Sequence, residues 1–91
     1  MTPTNALTER QYQGGNIFTL LQTGYENQIW ATYRQWKQLG KQVQKGQKGV
    51  RLIKIVTVEN LKAGEKVTKQ VPRGFTVFNV AQVKDIEEKA A

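Results

Sequence analysis

The segment VRLIKIVTV, residues 50–58, is rich in β-branched residues and is the strongest strand signal in the chain. Its apolar side chains fall on both alternation phases, so either both faces of the strand are covered or a bulge shifts the phase. A second strand is predicted to begin near Val67 and to resume after Pro72-Arg73-Gly74 as FTVFNV, residues 75–80. Pairing of the two strands across the loop ENLKAGEK, residues 59–66, is expected to form the centre of a small sheet.

Two short helices are predicted ahead of these strands. Ile17, Leu20 and Leu21 recur at the i, i+3, i+4 spacing of one apolar helix stripe. Asn16 is placed to cap the start of that helix, and Thr32 is a favourable N-cap for the second helix.

The sequence therefore predicts an α+β fold. Gly40 is expected to end the second helix, and the tail from Val83 to Ala90 is predicted as a C-terminal helix. The expected architecture is a small antiparallel β-sheet with two short helices packed on one face. With 91 residues, the chain is expected to form a single domain over residues 1–91.

The composition excludes several kinds of site. The chain has no cysteine and no histidine, which removes disulfides, thiolate chemistry and the usual zinc ligands. We therefore expect neither a metal site nor a cofactor. No apolar run approaches the roughly 18 residues that a membrane span needs. The N-terminal residues lack the layout of a signal peptide, so we expect a cytoplasmic protein.

The charge is strongly positive and unevenly distributed. The formal net charge is +7, and there is no acidic residue between Glu26 and Glu59. The cations in that window are Arg34, Lys37, Lys41, Lys45, Lys48, Arg51 and Lys54. Repulsion among them weakens the free fold, which favours a polyanionic partner. The alternative is a solvated face that keeps the protein in solution.

Aromatic residues accompany this charge. On a helix, Tyr33, Trp36 and Lys37 share one face, so two rings and an ammonium group could stack on bases while pairing with phosphates. The alternative is that Trp36, like Trp30, is buried, because a thin core needs large side chains. Tyr12 and Tyr33 are the better candidates for stacking.

The turn VQKGQKGVR, residues 43–51, allows two interpretations. Its glycines let the backbone approach a phosphate closely, with Lys45 and Lys48 beside it. The same spacing suits an ordinary hairpin turn with solubilising lysines.

Three stretches of the chain resemble the N-terminal domain of ArdC-type antirestriction proteins, a module also similar to the N-terminal part of plasmid TraC-type primases. They are NALTERQYQGGN at residues 5–16, WATYRQWKQLGKQVQKGQKG at residues 30–49 and FTVFNVAQV at residues 75–83. The residues that carry the resemblance are Asn5, Thr8, Tyr12, Gly14, Asn16, Trp30, Thr32, Gln35, Val43, Lys45, Gly46, Lys48, Gly49, Val77, Phe78, Asn79 and Gln82.

The resemblance implies an α+β domain that binds single-stranded DNA and occurs on plasmids, phages and other mobile elements. Larger members of the family carry a C-terminal metallopeptidase-like domain with an HExxH motif. Because this chain has no histidine, zinc-dependent activity is not expected here. The motif residues expected to have structural roles are Asn16, Thr32, Gln35, Gly46, Gly49, Phe78 and Asn79.

We therefore expect a non-enzymatic protein that binds single-stranded DNA without sequence preference, through a basic groove with aromatic stacking. The seven acidic residues are dispersed, and no spacing among them suggests a catalytic pair. The residues expected to contact DNA are Arg10, Tyr12, Trp30, Tyr33, Arg34, Trp36, Lys37, Lys41, Lys45, Lys48, Arg51 and Lys54.

Other partners fit the sequence less well. Stacking surfaces and basic grooves also serve RNA. Because the resemblance favours single-stranded DNA, we expect RNA and duplex DNA to bind more weakly. An antirestriction module that inhibits a nuclease by binding it is the alternative from another class. No membrane partner is expected. A core this thin is also compatible with a homodimer that buries Phe75 or Ile86.

Overall fold

The computed structural model describes residues 2–62 and 64–86. Within these residues the elements are β1 (Thr4–Asn5), α1 (Gly15–Leu21), β2 (Ile29–Thr32), α2 (Tyr33–Gln38), β3 (Lys41–Val43), β4 (Val50–Lys62), β5 (Glu65–Asn79), a 3-10 turn (Val80–Gln82) and β6 (Val83–Asp85). The mixture of sheet and helix confirms the predicted α+β class.

The strands form two sheets. The larger sheet has the order β1-β2-β5-β4, and the smaller one pairs β3 with β6. All pairs are antiparallel except β1 with β2, which is parallel. The expected antiparallel sheet is therefore correct for the central strands, but its edge is mixed and a second sheet accompanies it.

Strands β4 and β5 form one long hairpin, and the predicted loop at residues 59–66 is wrong. Their pairing runs without a bulge from Val50 opposite Val77 to Lys62 opposite Glu65. Most of the expected loop is strand, and Gly64, with a φ of 79°, lies in the tight turn that joins the two strands.

Pro72 does not interrupt β5, and the hydrogen-bond pattern explains why. The Asn16 side chain donates to the carbonyl of Ile53 (2.9 Å) and accepts from its N–H (3.4 Å), so both backbone groups of Ile53 point away from β5. Ile55, two residues further, points the same way, and its partner across the pair is Pro72. A proline at a position that does not bond to its neighbour loses no ladder hydrogen bond.

The hairpin has two faces, which we name the core face and the back face. The core face carries the alternating pairs that include Leu52 with Phe75 and Lys54 with Arg73. The back face carries the other alternation, which includes Ile53 and Ile55, and these are 59% and 62% exposed. The apolar residues on both alternation phases of residues 50–58 therefore reflect neither a bulge nor a strand covered on both faces.

The core lies where α1 and β2 meet the base of the hairpin. Its fully buried members are Leu20 of α1, Trp30 of β2, Leu52 of β4 and Val77 of β5. Tyr25 meets Trp30 edge to face, with 5.5 Å between ring centroids. Partly buried side chains around this cluster extend it to the surface; they are Tyr12, Tyr25, Val50 and Phe75.

The sequence predicted the start of α2 correctly but not the start of α1. Thr32 caps α2 as expected: its hydroxyl accepts from the N–H of Gln35, whose side chain accepts from the N–H of Thr32 in return. Gly40 follows α2 with a φ of 76°, which confirms the predicted stop. The cap of α1 is Gly14 instead of Asn16. Asn16 lies inside the helix because its side chain is engaged with β4.

The predicted C-terminal helix is wrong over its first residues. Val83–Asp85 is strand β6, which pairs with β3 from Lys41 opposite Asp85 to Val43 opposite Val83. The Asn79 side chain caps the preceding 3-10 turn and directs the chain into this second sheet. The remainder of the predicted helix, residues 87–90, lies outside the described residues.

Gly49 is required by close packing, which gives a stability prediction. A Cβ at this position would collide with the Thr76 side chain and lie 2.9 Å from the carbonyl oxygen of Val77. Because these atoms belong to a packed strand, Gly49→Ala is expected to lower the free energy of unfolding by about 1–3 kcal/mol. Urea unfolding followed by tryptophan fluorescence measures the change.

Gly15→Ala is the matched control for that prediction. Gly15 lies in the first turn of α1, and a Cβ there has no neighbour within 4 Å among the described residues. Its replacement should leave stability unchanged or slightly raised. Equal midpoints for the two variants would show that the contact at Gly49 relaxes freely and that the packing argument is wrong.

Candidate nucleic-acid interface

A groove of about 600 Å³ lies between the segment that precedes α1 and the hairpin. One wall is the chain from Arg10 to Asn16, and the other is formed by β4 and β5. The lining residues are Arg10, Gln11, Tyr12, Gln13, Gly14, Asn16, Ile53, Lys54, Ile55 and Phe75. The groove is therefore built from three separate parts of the sequence.

The Asn5 side chain holds the first wall in place. Its amide nitrogen donates to the Tyr12 hydroxyl (3.0 Å) and to the side-chain oxygen of Gln35 (2.8 Å). Its oxygen accepts from the N–H groups of Leu7 and Thr8. The wall is thus tied to the cap of α2 through a single buried amide.

Tyr12 joins this wall to the core. Its hydroxyl donates to the carbonyl oxygen of Trp30 (3.4 Å), while its ring packs against the core cluster and lines the groove. Burial raises the pKa of Tyr12, and the hydrogen bond from Asn5 opposes part of that rise. The hydroxyl is therefore neutral at physiological pH and both donates and accepts in the network.

The floor of the groove combines a ring with a cation. The Lys54 ammonium lies 5.7 Å from the ring centroid of Phe75, within the range of a cation–π contact. Both side chains are on the core face of the hairpin, one diagonal step apart. Lys54 is exposed and Phe75 is half-buried, so both are available to a ligand in the groove.

Positive charge converges at this floor. Lys54 lies directly opposite Arg73 across the strand pair, and like charges in that position are destabilising. Arg10 adds a third cation from the facing wall. Among the residues that the structure describes, the ion pairs are Lys41–Asp85 and Lys66–Glu59, and neither neutralises this group. The groove is therefore suited to an anion.

The cations predicted from the sequence do not share one face. Arg51 and Lys54 are three residues apart on an unbroken strand, so their side chains point to opposite faces of the sheet. The Arg51 guanidinium lies over Gly74, on the back face. Lys41 is paired with Asp85, so the expectation that this cation has no counter-ion is wrong.

A second exposed basic surface lies on α2. Tyr33 is 45% exposed, and the Lys37 ammonium lies 5.6 Å from its ring centroid, as the helical spacing predicts. Arg34 is also exposed on this helix, and Lys45 and Lys48 are exposed in the loop between β3 and β4. None of these five residues lines the groove.

The two tryptophans are buried, which corrects the expectation that they stack on bases. Trp30 is 0% exposed, and its indole N–H donates to the side chain of Gln28. Trp36 is 3% exposed, and its indole N–H donates to the carbonyl oxygen of Phe78 (2.9 Å). Both indoles have their polar atom satisfied inside the protein, as buried tryptophans usually do.

Of the motif residues expected to be structural, Asn79 belongs to a second polar cluster. Asn79 is fully buried and donates from its side chain to the carbonyl of Asn27 (2.7 Å), while its N–H is bound by Gln82. The Gln82 side chain in turn donates to the carbonyl of Lys48 (2.8 Å). Gly46 has a φ of 83°, so the loop turns there as predicted, whereas Gly49 is needed for packing against the strand that carries Phe78.

Sequence reasoning missed Phe75, which lines the groove, and Arg73, which lies opposite Lys54. Phe75 was considered only as an apolar surface, and Arg73 as part of an interruption of the second strand. Their contribution follows from the register that places Phe75 diagonal to Lys54 and Arg73 opposite it. A hairpin register cannot be read from either strand alone, but a continuous pairing of KIVTV with KQVPR would have indicated it.

Two further features of the described residues concern metal binding and membrane association. Within the described part of the chain, no three side chains of His, Cys, Asp or Glu are grouped closely enough to hold a metal ion. No helix formed by residues 2–62 and 64–86 has the length and apolarity to cross a membrane.

Comparison with known proteins places this fold in a family. The sequence pattern of the N-terminal domain of anti-restriction factor ArdC matches residues 1–83. The chain is 37% identical to the uncharacterized protein y4eC of Sinorhizobium fredii, over 90% of this chain and 31% of that protein.

Two solved structures are also similar, and both are of the antirestriction ArdC protein from R388 plasmid. The metal-free structure matches with a TM-score of 0.86 and the Mn(II)-bound structure with 0.77, each at 36% identity. They match 97% of this chain, which covers 34% and 36% of theirs, so the chain spans about a third of the length of these relatives. The chain belongs to the family of N-terminal domains of the anti-restriction factor ArdC.

Proposed function

We propose that this chain binds single-stranded DNA without sequence preference and that the groove is the main contact surface. The observation that carries the proposal is the floor, where Lys54 lies over the ring of Phe75 and faces Arg73. An aromatic ring accepts a stacked base of any sequence, and the cations neutralise the phosphates on either side of it.

The geometry favours a single strand over a duplex. Stacking on Phe75 needs a free base face, and in a duplex those faces are covered by neighbouring base pairs. RNA presents the same free faces when it is single-stranded, so it is the nearest competitor. Affinities for DNA and RNA of equal length should therefore be measured together.

The relatives suggest the process that such binding serves. The matching family is named for the anti-restriction factor ArdC, and both similar structures are of the antirestriction ArdC protein from R388 plasmid. We propose that this chain supplies a DNA-contacting part of a similar function on a mobile element. We further propose that it acts by binding and not by catalysis. The absence of histidine and cysteine from the sequence and the dispersal of its seven acidic residues support this.

The first test separates the groove from the other basic surface. Lys54→Glu is expected to weaken binding of fluorescein-labelled oligo(dT) about tenfold or more, since it replaces a phosphate partner with a repelling charge. Fluorescence anisotropy is the suitable measurement, because both tryptophans are buried and their emission reports little of the surface.

The double variant Lys45→Glu with Lys48→Glu is the comparison for that test. It makes a larger change in net charge in a loop that does not line the groove, so most of the affinity should remain. If the double variant were the weaker binder, the loop between β3 and β4 would be the main contact and the groove assignment would be wrong. A nuclease-directed module would instead bind its protein partner with little salt dependence and show no preference for the oligonucleotide.

A second test asks whether Phe75 stacks on a base. Phe75→Leu keeps an apolar side chain against the core but removes the ring, and it should weaken binding by about 1–3 kcal/mol without changing the salt dependence. Tyr33→Ala removes the exposed ring on α2 and is expected to have little effect. The assignment fails if Tyr33→Ala weakens binding while Phe75→Leu does not.

A further inference from the structure

We propose that the core face of the hairpin beyond the groove is a second subsite for the same DNA strand, with Lys69 as its main phosphate contact. This inference rests on the proposed function, because it extends the path of a strand that is first held at Lys54 and Phe75. The contact would then continue from the groove along β5 toward the turn of the hairpin.

Beyond the groove, the lysines of β5 on the two faces of the hairpin differ in whether an acidic side chain pairs with them. On the core face, Lys54 and Arg73 are followed along β5 by Lys69, which is exposed and lies opposite Val58. On the back face, Lys66 forms an ion pair with Glu59 at 3.4 Å. Within the described residues, Lys69 forms no ion pair. Among the side chains that the structure describes, the cation beyond the groove without an acidic partner is therefore Lys69, on the core face.

Apolar side chains lie between these cations. Val56 and Val71 are directly opposite each other on the core face and are half-buried. Val58, next along β4, is half-buried as well. This surface offers contact area for sugars and base faces between two phosphate contacts. The alternation of valine and cation along a strand fits a polyanion with apolar bases better than it fits a small anion.

The length of the hairpin separates the two subsites. Arg73 and Lys69 are four residues apart on one strand, which corresponds to about 13 Å. An oligonucleotide that fills only the groove should not reach Lys69, whereas a longer one should. The second subsite is therefore expected to appear only with increasing length of the DNA.

The experiment compares Lys69→Gln with Lys66→Gln. The two variants each remove one positive charge from β5, on opposite faces of an exposed hairpin, with Lys66 three residues further from the groove than Lys69. Binding to a series of oligo(dT) lengths is measured by anisotropy at several salt concentrations. Circular dichroism of both variants checks that the hairpin is still folded.

With long oligo(dT), Lys69→Gln should weaken binding several-fold and reduce the slope of log K against log salt by about 0.7. With the shortest oligo(dT) that still binds, it should match the wild type, and Lys66→Gln should match the wild type at every length. Equal losses from the two variants would mean general electrostatics and would overturn the subsite. The groove is tested separately by the affinity of the wild type for short oligo(dT) and by the loss of that affinity in Lys54→Glu. Failure of the proposed function would therefore be distinguished from failure of the subsite.

Discussion

The shape of the groove depends on the side chain of Asn5, which is buried and uses all of its hydrogen-bonding capacity. It bonds the turn that follows β1, the hydroxyl of Tyr12 and the capping side chain of Gln35. A buried amide that loses a partner costs about 1–3 kcal/mol, so the three parts of the chain hold one another in a single arrangement. The wall that carries Arg10 and Tyr12 therefore has a fixed position relative to the hairpin.

The wall formed by residues 10–16 matters because β4 would otherwise present an open strand edge at the groove. β4 is the last strand of its sheet, and an unprotected edge invites pairing with another chain. Asn16 occupies both outward backbone groups of Ile53 and so closes the edge at the groove. The Asn16 side chain thus anchors α1 to the sheet. It also prevents β4 from pairing with another strand at the groove.

Sequence reasoning predicted what depends on local rules. The cap at Thr32, the stop at Gly40 and the strand from residue 50 each follow from the conformational preference of a few neighbouring residues. Asn16 was misassigned because its partner, Ile53, is 37 residues away. The charge pattern predicted an anionic partner, which stays a prediction. The faces of Arg51 and Lys54 depend on strand alternation, which the linear charge block conceals.

The placement of Lys54 opposite Arg73 is understood as a stability cost that the proposed binding would offset. A fold selected only for stability would place an acid opposite one of them, as the register does where Glu65 lies opposite Lys62, or diagonal to one of them, as at Glu59 and Lys66 on the back face. All of these residues lie on the same two strands, so strand propensity does not explain why a lysine faces an arginine at the groove. Since like charges weaken the free protein and a bound polyanion would relieve them, the proposed binding would be coupled to folding at this pair. The outer half of the long hairpin adds little to the core. Its presence is therefore better explained by the proposed binding at the groove than by stability.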